Sequence, residues 1–578
     1  MKILLLHPDD IPWRGSWSST QWDQVIDLAY AGPEIYEQWT TRCGSLVRSI
    51  HEFAGECQSN ASIKEVLDPG RNQLVDRMGL DWWEILAVLR FHELQALYLL
   101  QQLRDELGSN VEYYTTRPSM FTDLLGSMIG SAVPTYQAAP SRMQALARSV
   151  RSARNLRPEQ ITEITFDKWD SSYSIRRWLA RSRHAHCKNP VVLLPSAYSN
   201  VTRLLLAYAE DLTQRHFLLA STRRSGTSKN LPSNVAAISL AAYALPPKAS
   251  EQEEIELLHK WSDFEHQTLA RTNGLRHARD AGIWRNFPEQ LRCGIRLRDA
   301  WYELMKTEPV SAVLCADDLN HYTRIPLMLA RNMGLRAVYC CHGALDGGML
   351  FKQPSANRYL VKGEMERDYL LRCSTVDPEL IEIGAPSTYS PQNGRSRHAN
   401  RRDIVFFSQP YEVLAGRTRE IYRELLPKLC ALATVSGRRI KVKLHAFEGV
   451  NSRSRTLRSV LAESEMSLVQ LVDRKSLDSL LSDAWCGIGI DSSVAVECAL
   501  AGVPYFLCGW LDYSGFGYGQ QFARYGAGRM LHSASELAEI PAIVANWREP
   551  DLNGLAQTID TEVLDALLFS HNKVSLVS

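Results

Sequence analysis

The stretch CGIGIDSSVAVECALAGVPY, residues 486–505, has the pattern of a strand, a serine-bearing turn and a helix. Its apolar start, Cys486 to Ile490, predicts a buried strand, and Asp491–Ser493 supply side chains suited to an N-cap. We expect the helix over Val494 to Ala501, because Gly502 suits the position after a helix and a proline follows two residues later. A strand followed by a helix in this way is the repeating unit of an α/β fold.

The turn of this unit is suited to bind a phosphate group. Free backbone N–H groups and the positive end of the helix dipole meet there, and Ser492 and Ser493 add two hydroxyl donors. Glu497 comes four residues after Ser493 and so lies on the same helix face, where both side chains would reach one ligand. The alternative is an ordinary capped helix in an α/β domain.

Size and composition describe a large globular protein. A chain of 578 residues is expected to form two or more domains, and 45% hydrophobic with 22% charged residues is an ordinary balance. The formal net charge of +1 argues against a protein that coats nucleic acid, so no nucleic-acid partner is expected. The 12 cysteines form no CxxC pair, which indicates neither a zinc site nor a disulfide framework and fits a cytoplasmic protein.

Apolar runs are too short or too interrupted to cross a membrane. The run Ile3 to Leu6 predicts a first buried strand and is too short for a signal peptide or an anchor. The longer segment Trp82 to Leu107 contains charged residues at helical spacing, so we expect one amphipathic helix. Membrane association is therefore expected to be peripheral at most.

From residue 190 onward, strand and helix patterns alternate, which is typical of βα units on a parallel sheet. The polar and basic segment STYSPQNGRSRHANRR interrupts this alternation and predicts a linker at 389–402. Residues 1–388 are then expected to form an N-terminal Rossmann-like domain with helical insertions, and residues 403–578 a C-terminal one. The last helix of the chain is able to cross back to the first domain. Two such domains form a cleft, which suits a transferase with two substrates.

Two acidic residues directly follow a predicted buried strand, because Asp317 and Asp318 come after SAVLCA. Carboxylates at the end of a strand are costly to desolvate unless they are used or paired, so one of them is a candidate nucleophile or general base. Capping of the next helix by Asp318 or Asn320 is the alternative, and a metal site is a third option.

Other polar residues follow the ends of other predicted strands. His342 follows RAVYCC, where it would bind a phosphate, transfer a proton or be a buried structural histidine, and Lys352 adds a cation to the same loop. In the second domain Gln409 follows one strand, and Lys443 and His445 follow the next. Because the carboxyl ends of parallel strands meet at one edge of a sheet, we expect the loops of each sheet to lie together there.

The loop after the first strand is rich in tryptophan. It contains Trp13, Arg14, Trp17 and Trp22. Aromatic faces beside an arginine suit the binding of a sugar or a lipid-linked sugar, although the same tryptophans are also able to fill a gap between layers. The chain has no GxxxxGK[ST] loop, no GxGxxG after the first strand and no HExxH, which disfavours triphosphate-cleaving enzymes, dinucleotide oxidoreductases and zinc hydrolases.

Four segments of the chain, taken in order, resemble a known group of enzymes. ADDLNHYTRIPLMLARNMGL, AVYCCHGALDGGMLFK, KLHAFEG and GIDSSVAVECALAGVP look like segments of GT-B glycosyltransferases that use CMP-activated acidic sugars. The nearest group is the bacterial retaining β-Kdo transferases of capsule and O-antigen assembly. The resemblance implies an α/β GT-B fold with two Rossmann-like parallel-sheet domains facing across a cleft, and work at the cytoplasmic face of the inner membrane when the acceptor is lipid-linked.

The resemblance implies a donor pocket in the second domain. Ser492 and Ser493 match a serine pair that holds the phosphate and cytidine of the donor, and Glu497 matches an acid that holds its ribose. His445 matches the histidine of an HP motif, although Ala446 replaces the proline. We assign Gln409, Lys443 and Lys352 to the same donor site.

The resemblance also implies a nucleophile in the first domain. Asp317 or Asp318 would attack the anomeric carbon of the sugar, and the acceptor hydroxyl would resolve the covalent adduct with retention. Asp317 is preferred because it is nearer the strand end, and His342 would orient the donor carboxylate or phosphate.

The expected partners are a CMP-activated sugar and an oligosaccharide or lipid-linked glycan acceptor, with no cofactor and no metal. The residues expected at the acceptor are Trp13, Arg14, Ser196 and Tyr198. Two alternatives stay open: a polyol-phosphate or nucleoside-diphosphate-sugar transferase of the same fold, and a non-catalytic glycan-binding subunit of a polysaccharide assembly complex.

Overall fold

A computed structural model gives the structure of the chain. It describes residues 1–7, 10, 21–28, 46–53, 64–136, 184–223, 226–228, 230–318, 320–343, 354–389, 401–411, 418–445, 448–473, 476–511, 517–548 and 551–569. The chain forms two compact units. One unit contains Met1–Ser59, Gln95–Pro158 and Pro391–Leu555, and the other contains Asn60–Leu94, Glu159–Ser390 and Ala556–Ser578.

A small parallel sheet lies near the N-terminus. Its strands are β1 (Lys2–Leu6), β2 (Gln24–Asp27), β3 (Val47–Ser49) and β4 (Glu112–Thr115), in the order β3-β2-β1-β4. Leu4 and Leu6 of β1 pack with Trp22, whose ring centroid lies 5.2 Å from that of Tyr114. The residues 1–388 therefore contain this sheet in addition to a larger one.

The second sheet has seven parallel strands: β5 (Val191–Ser196), β6 (His216–Ser221), β7 (Val235–Ser239), β8 (Val310–Cys315), β9 (Arg336–Cys340), β10 (Arg358–Val361) and β11 (Ile381–Ile383). Their order is β11-β10-β9-β8-β5-β6-β7. The chain runs outward from β5 to β7 and then returns to the other side of β5 with β8. This is the strand order of a doubly wound Rossmann sheet.

The third sheet has six parallel strands: β12 (Asp403–Phe407), β13 (Arg439–Lys443), β14 (Val469–Val472), β15 (Ala484–Gly489), β16 (Tyr505–Cys508) and β17 (Arg529–Leu531). Their order is β14-β13-β12-β15-β16-β17, which repeats the Rossmann order with β12 and β15 at the centre. The prediction of an α/β chain with two Rossmann-like parallel sheets is therefore confirmed.

The helices lie between the strands along the chain. In chain order they are α1 (Trp82–Ala87), α2 (Phe91–Leu107), α3 (Met120–Ile129), α4 (Ser199–Asp211), α5 (Glu251–Phe264), α6 (Asn273–Asp280), α7 (Phe287–Thr307), α8 (His321–Asn332), α9 (Glu364–Cys373), α10 (Thr418–Ser436), α11 (Val450–Val460), α12 (Glu463–Met466), α13 (Leu477–Leu481), α14 (Val494–Leu500), α15 (Tyr518–Arg524), α16 (Ile540–Ala545) and α17 (Thr561–Phe569).

The prediction of a single amphipathic helix over Trp82 to Leu107 is wrong. A 3-10 turn at Val88–Arg90 separates α1 from α2, and all six residues of α1 are buried. The reason is packing on both sides of α1: the ring of Trp83 lies 4.8 Å from that of Trp284, and a Cβ at Gly294 would come within 2.3 Å of Trp82. A segment buried on every face has no polar side to present to solvent.

The second sheet is covered by α4 and by the terminal helix. Leu564 and Leu568 of α17 pack in one core cluster with Val192 and Leu194 of β5. The guanidinium of Arg215 donates two hydrogen bonds to the Asp565 carboxylate, from Nε at 2.6 Å and from Nη2 at 2.7 Å. The sequence allowed the last helix to return to the first domain. In the structure this helix packs in the unit that contains the second sheet.

The predicted domain ranges, 1–388 and 403–578, remain predictions, because most of the linker at 389–402 lies outside the described residues. Within the described residues, no helix combines the length and the apolar character needed to span a bilayer.

Candidate functional site

Both Rossmann sheets contain a switch point, where two neighbouring strands continue to opposite sides of the sheet. Ligands of open α/β proteins bind in the crevice at the carboxyl ends of these strands. The switch point of the second sheet lies between β5 and β8, and that of the third sheet between β12 and β15. Residues predicted for the site directly follow all four strands: Tyr198, Asp317, Gln409 and the serine turn.

Asp318 belongs to a buried chain of alternating charges. Its side chain is 1% exposed, and its Oδ2 accepts hydrogen bonds from Arg324 Nη1 at 3.2 Å and Ser355 Oγ at 3.0 Å. Arg324 Nη2 also donates to Glu84 Oε1 at 2.9 Å, and Arg71 Nη1 donates to Glu84 Oε2 at 2.5 Å. Removing one member would leave a buried charge without compensation, so Asp318 stabilises the fold around the switch point.

Asp317 has different neighbours, although it is also buried, at 5% exposed. Its Oδ2 accepts a hydrogen bond from Asn320 Nδ2 at 2.5 Å. Asn320 is the N-cap of α8, where its Oδ1 accepts from the backbone N–H of Thr323 at 3.3 Å. Of the two capping candidates in the sequence, Asn320 makes the cap, and it also fixes the orientation of the Asp317 carboxylate.

His342 is held against the residue that precedes Asp317. Its Nδ1 lies 2.7 Å from the carbonyl oxygen of Ala316, and its backbone N–H donates to the same oxygen at 3.1 Å. A carbonyl oxygen only accepts hydrogen bonds, so Nδ1 must have the proton. In the neutral ring, Nε2 is then the nitrogen with the lone pair, as a proton acceptor requires.

The loop after β5 brings Tyr198 to the same edge. Arg223 Nη1 donates to Tyr198 Oη at 2.8 Å. Burial raises the pKa of Tyr198, the Arg223 charge lowers it, and the Asp317 charge raises it, so both charges act on one hydroxyl. Ser196, the other predicted residue of this loop, is 0% exposed, and its Oγ lies 2.6 Å from Thr202 Oγ1. Its hydroxyl is thus engaged inside the loop.

Sequence reasoning missed two residues at this edge. Arg223 follows β6, and its guanidinium carbon lies 5.1 Å from the ring of Tyr198 and 5.0 Å from that of Tyr322. His321 begins α8 and is fully buried, and burial followed by the Arg223 charge lowers its pKa well below the usual range. The segment FLLASTRRSG, a strand followed by a basic loop, was a signal for Arg223, whereas the sequence had no signal for the burial of His321.

The serine turn of the third sheet matches the prediction closely. Strand β15 ends at Gly489, α14 begins at Val494, and Gly502 has the left-handed φ of +61° expected after a helix. Ser492 Oγ accepts from the backbone N–H of Val494 at 3.4 Å, whereas Ser493 is the N-cap without a side-chain capping bond.

Glycines make room for a tyrosine beside this turn. A Cβ at Gly489 would lie 2.0 Å from Tyr505 Oη, so the tyrosine ring extends over β15 toward its carboxyl end. Burial raises the pKa of Tyr505 well above the usual range, and nearby groups that include Asp491 and Glu497 add to the effect. Tyr505 Oη and Gln409 Oε1 are both buried and have no hydrogen-bond partner among the described residues.

A buried glutamate joins the loops after β12 and β13. Glu448 accepts hydrogen bonds from Ser408 Oγ at 2.7 Å, from the backbone N–H of His445 at 2.7 Å and from Arg453 Nε at 2.5 Å. Burial raises the pKa of Glu448, and the Arg453 charge lowers it in part. Burial and then the Lys443 charge lower the pKa of His445. Lys443 Nζ donates to the carbonyl oxygen of Asp473 at 2.5 Å.

Three predicted residues, Trp13, Arg14 and Lys352, lie outside the described residues. Trp22, from the same tryptophan-rich stretch, is a core residue of the first sheet. In the described part of the chain, no group of three or more His, Cys, Asp or Glu side chains is arranged to hold a metal ion.

No protein-family model matches the chain, and no curated protein matches it. A UDP-GlcNAc 2-epimerase from Methanocaldococcus jannaschii is 11% identical with a TM-score of 0.43, over 66% of this chain and 98% of its own. S. aureus MnaA with UDP is 10% identical with a TM-score of 0.40, over 66% and 95%. A variant of the wall teichoic acid polymerase TagF is 10% identical with a TM-score of 0.38, over 74% and 97%. At these sequence identities and TM-scores, the comparisons do not establish a family for the chain.

Proposed function

We propose that the chain is a GT-B glycosyltransferase that transfers Kdo, or a related keto-acid sugar, from a CMP-activated donor to a glycan acceptor of a bacterial surface polysaccharide. One observation supports this proposal above the others. Residues chosen from separate stretches of sequence follow the four strands that form the two switch points. An acid follows β8 in the second sheet, and a pair of serines follows β15 in the third.

The proposal assigns the nucleotide to the third sheet. Ser492 and Ser493 would donate to the donor phosphate, and the hydroxyl of Ser493 is suited to this because it makes no capping bond within its helix. Glu497, one turn further along α14, would accept from the ribose. Gln409 Oε1, buried without a partner among the described residues, would accept from the nucleoside.

The proposal assigns the reacting acid to the second sheet, and Asp317 is preferred over Asp318. Asp318 already binds Arg324 and Ser355 in the buried charge chain. An Asp317 carboxylate oxygen would bond to the anomeric carbon while the bond from that carbon to the phosphate oxygen breaks, and the electron pair leaves with CMP. The product of this step is a glycosyl ester of Asp317.

The acceptor hydroxyl would resolve this ester. Its oxygen would bond to the anomeric carbon, the bond to Asp317 would break, and the hydroxyl proton would pass to a base. His342 Nε2 is the candidate base, because Nδ1 has its proton and donates to Ala316. Two displacements at one carbon retain its configuration.

A thermal-shift titration of the full chain with CMP, CDP, UDP and GDP tests the donor assignment. We expect CMP to stabilise the chain, by about 2.7 kcal/mol at a concentration 100 times Kd. The double variant Ser492→Ala/Ser493→Ala should shift the CMP titration to concentrations about tenfold or more higher, since two hydroxyl hydrogen bonds are lost. The matched control is Ser533→Ala, in the unit that contains the third sheet.

Stabilisation by UDP but not CMP would replace the Kdo assignment by a nucleoside-diphosphate-sugar donor. If CMP binds but CMP-Kdo with acceptor glycans gives no turnover, a glycan-binding subunit is the better description.

A further inference from the structure

Arg223 is held in a fixed plane at the carboxyl edge of the second sheet. Its guanidinium carbon lies 5.1 Å from the ring centroid of Tyr198 and 5.0 Å from that of Tyr322. Nη1 also donates to Tyr198 Oη at 2.8 Å. A guanidinium over aromatic faces and bonded to a hydroxyl loses much of its rotational freedom before a ligand arrives.

The sheet order places this arginine and the proposed nucleophile at the same edge, two strands apart. Strand β5 lies between β8 and β6, so the loops that contain Asp317, Tyr198 and Arg223 follow three adjacent strands. Tyr322, the second aromatic neighbour, belongs to α8, whose N-cap Asn320 donates to Asp317. The charges of both Asp317 and Arg223 act on the hydroxyl of Tyr198.

The chemistry of this edge fits one anionic group. A guanidinium has its N–H donors in a planar fork that matches the two oxygens of a carboxylate. Among the described residues, His321 is buried near Arg223, and burial followed by the Arg223 charge lowers its pKa, which favours the neutral ring. A cation with a fixed plane, two strands away from the acid that would attack the anomeric carbon, suits a sugar whose carboxylate is attached to that carbon.

We propose that Arg223 binds the carboxylate of the transferred sugar and thereby selects acidic over neutral sugars. This inference rests on the proposed function and adds to it a specificity residue outside the nucleotide site.

The test compares Arg223→Gln and Arg223→Lys with the wild-type full chain. We expect Arg223→Gln to lower kcat/KM for CMP-Kdo about 100-fold, because a charge-assisted two-fold hydrogen bond is lost. Arg223→Lys should recover part of this loss, because the charge remains without the planar fork. The Kd for CMP should stay within about twofold of wild type in both variants. Arg203→Gln, an exposed change on α4, is the matched control.

A second readout separates carboxylate recognition from a purely structural role. Free Kdo and its carboxamide serve as competing inhibitors of transfer. In the wild type, we expect the acid to inhibit about tenfold or more strongly than the amide, and in Arg223→Gln the two should inhibit alike.

If wild type and Arg223→Gln prefer Kdo over its carboxamide to the same degree, the inference about Arg223 is overturned. The proposed transferase function would not be affected by that result. A parallel loss of CMP affinity in Arg223→Gln also overturns it, because Arg223 would then bind the donor phosphate. Absence of any CMP binding by the wild type is a different result, which removes the proposed function itself.

Discussion

The two Rossmann sheets share a central switch point, but their carboxyl edges differ in chemistry. The second-sheet edge contains Tyr198, Arg223, Asp317, His321 and His342, and a buried chain of charges supports it. The third-sheet edge contains Gln409, His445, Ser492, Ser493 and Glu497, with glycines in its central strand. Charged and proton-transferring groups suit reaction at a carbon, whereas hydroxyl and amide groups suit the holding of a nucleotide. One topology therefore presents two different sets of side chains, which we propose serve the reaction and the nucleotide.

The largest expected effect separates the two adjacent acids of the second-sheet edge. Asp317→Asn should lower turnover of CMP-Kdo about 1,000-fold or more, because an amide does not replace a carboxylate nucleophile. Its free energy of unfolding should change little, since an Asn oxygen still accepts from Asn320. Steady-state kinetics and urea unfolding of the same preparations measure both.

Asp318→Asn is the matched control for that variant. It should lower the free energy of unfolding by about 1–3 kcal/mol, because Arg324 loses a charged partner in a buried site. If Asp318→Asn abolishes turnover without loss of stability while Asp317→Asn stays active, the roles of the two acids are exchanged.

The third-sheet edge depends on Glu448 for its shape. Glu448→Ala should destabilise the unit that contains this sheet by about 3–5 kcal/mol, because Arg453 would remain buried without its acid. CMP affinity should fall as well, since the His445 loop loses its anchor. Denaturant unfolding, with Glu463→Ala on the surface of α12 as the control, measures the effect. A loss equal to that of Glu463→Ala would show that Glu448 does not hold the loops together.

Gly489 tests whether the tyrosine over β15 sets the shape of the serine turn. Gly489→Ala should cost about 1–3 kcal/mol of unfolding free energy, because the new Cβ would overlap Tyr505 Oη. Adding Tyr505→Phe removes that oxygen and leaves a 3.1 Å contact to the ring, so the double variant should recover part of the loss. A double variant as unstable as Gly489→Ala alone would place the strain elsewhere.

The smallest expected effect is a pH dependence of stability. Burial lowers the pKa of His321 and of His445 in the folded chain, while histidines of an unfolded chain titrate near about 6.5. The unfolded state therefore binds more protons than the folded state below about pH 6.5. The contribution of these histidines to the free energy of unfolding is complete above that pH and is lost as the pH decreases.

His321→Gln should flatten this dependence between about pH 7 and 5, whereas His259→Gln, on the exposed face of α5, should leave its slope unchanged. Unfolding measured across this pH range checks both variants. The same slope in His321→Gln as in the wild type would contradict the account of His321.

The central strands were predictable because each is a run of apolar residues followed by a helix with its own signals. The run Cys486 to Ile490 corresponds to β15, and the position of Gly502 after α14 was read correctly. Strands β2, β3, β7 and β17 were not predicted, and three of them, β3, β7 and β17, lie at sheet edges. Most residues of β7 are exposed, and β17 has three residues, so neither has a clear apolar pattern.

The support of the site was not predictable from local patterns. Glu84 and Arg324 are 240 positions apart in sequence, and their ion pair joins α1 to α8. No local spacing indicates such a pair, because the fold alone brings the two helices together. For the same reason the sequence favoured Asp317 only by its position nearer the strand end, and the different partners of the two acids became visible only in the structure.

The assignment of the nucleotide to the third-sheet edge is tested most directly by hydrogen–deuterium exchange of the full chain with and without saturating CMP. We expect slower amide exchange in peptides that cover residues 408–411 and 490–497, with no change in peptides that cover 196–198 and 316–322. Slower exchange at 196–198 and 316–322, with 490–497 unchanged, would contradict it.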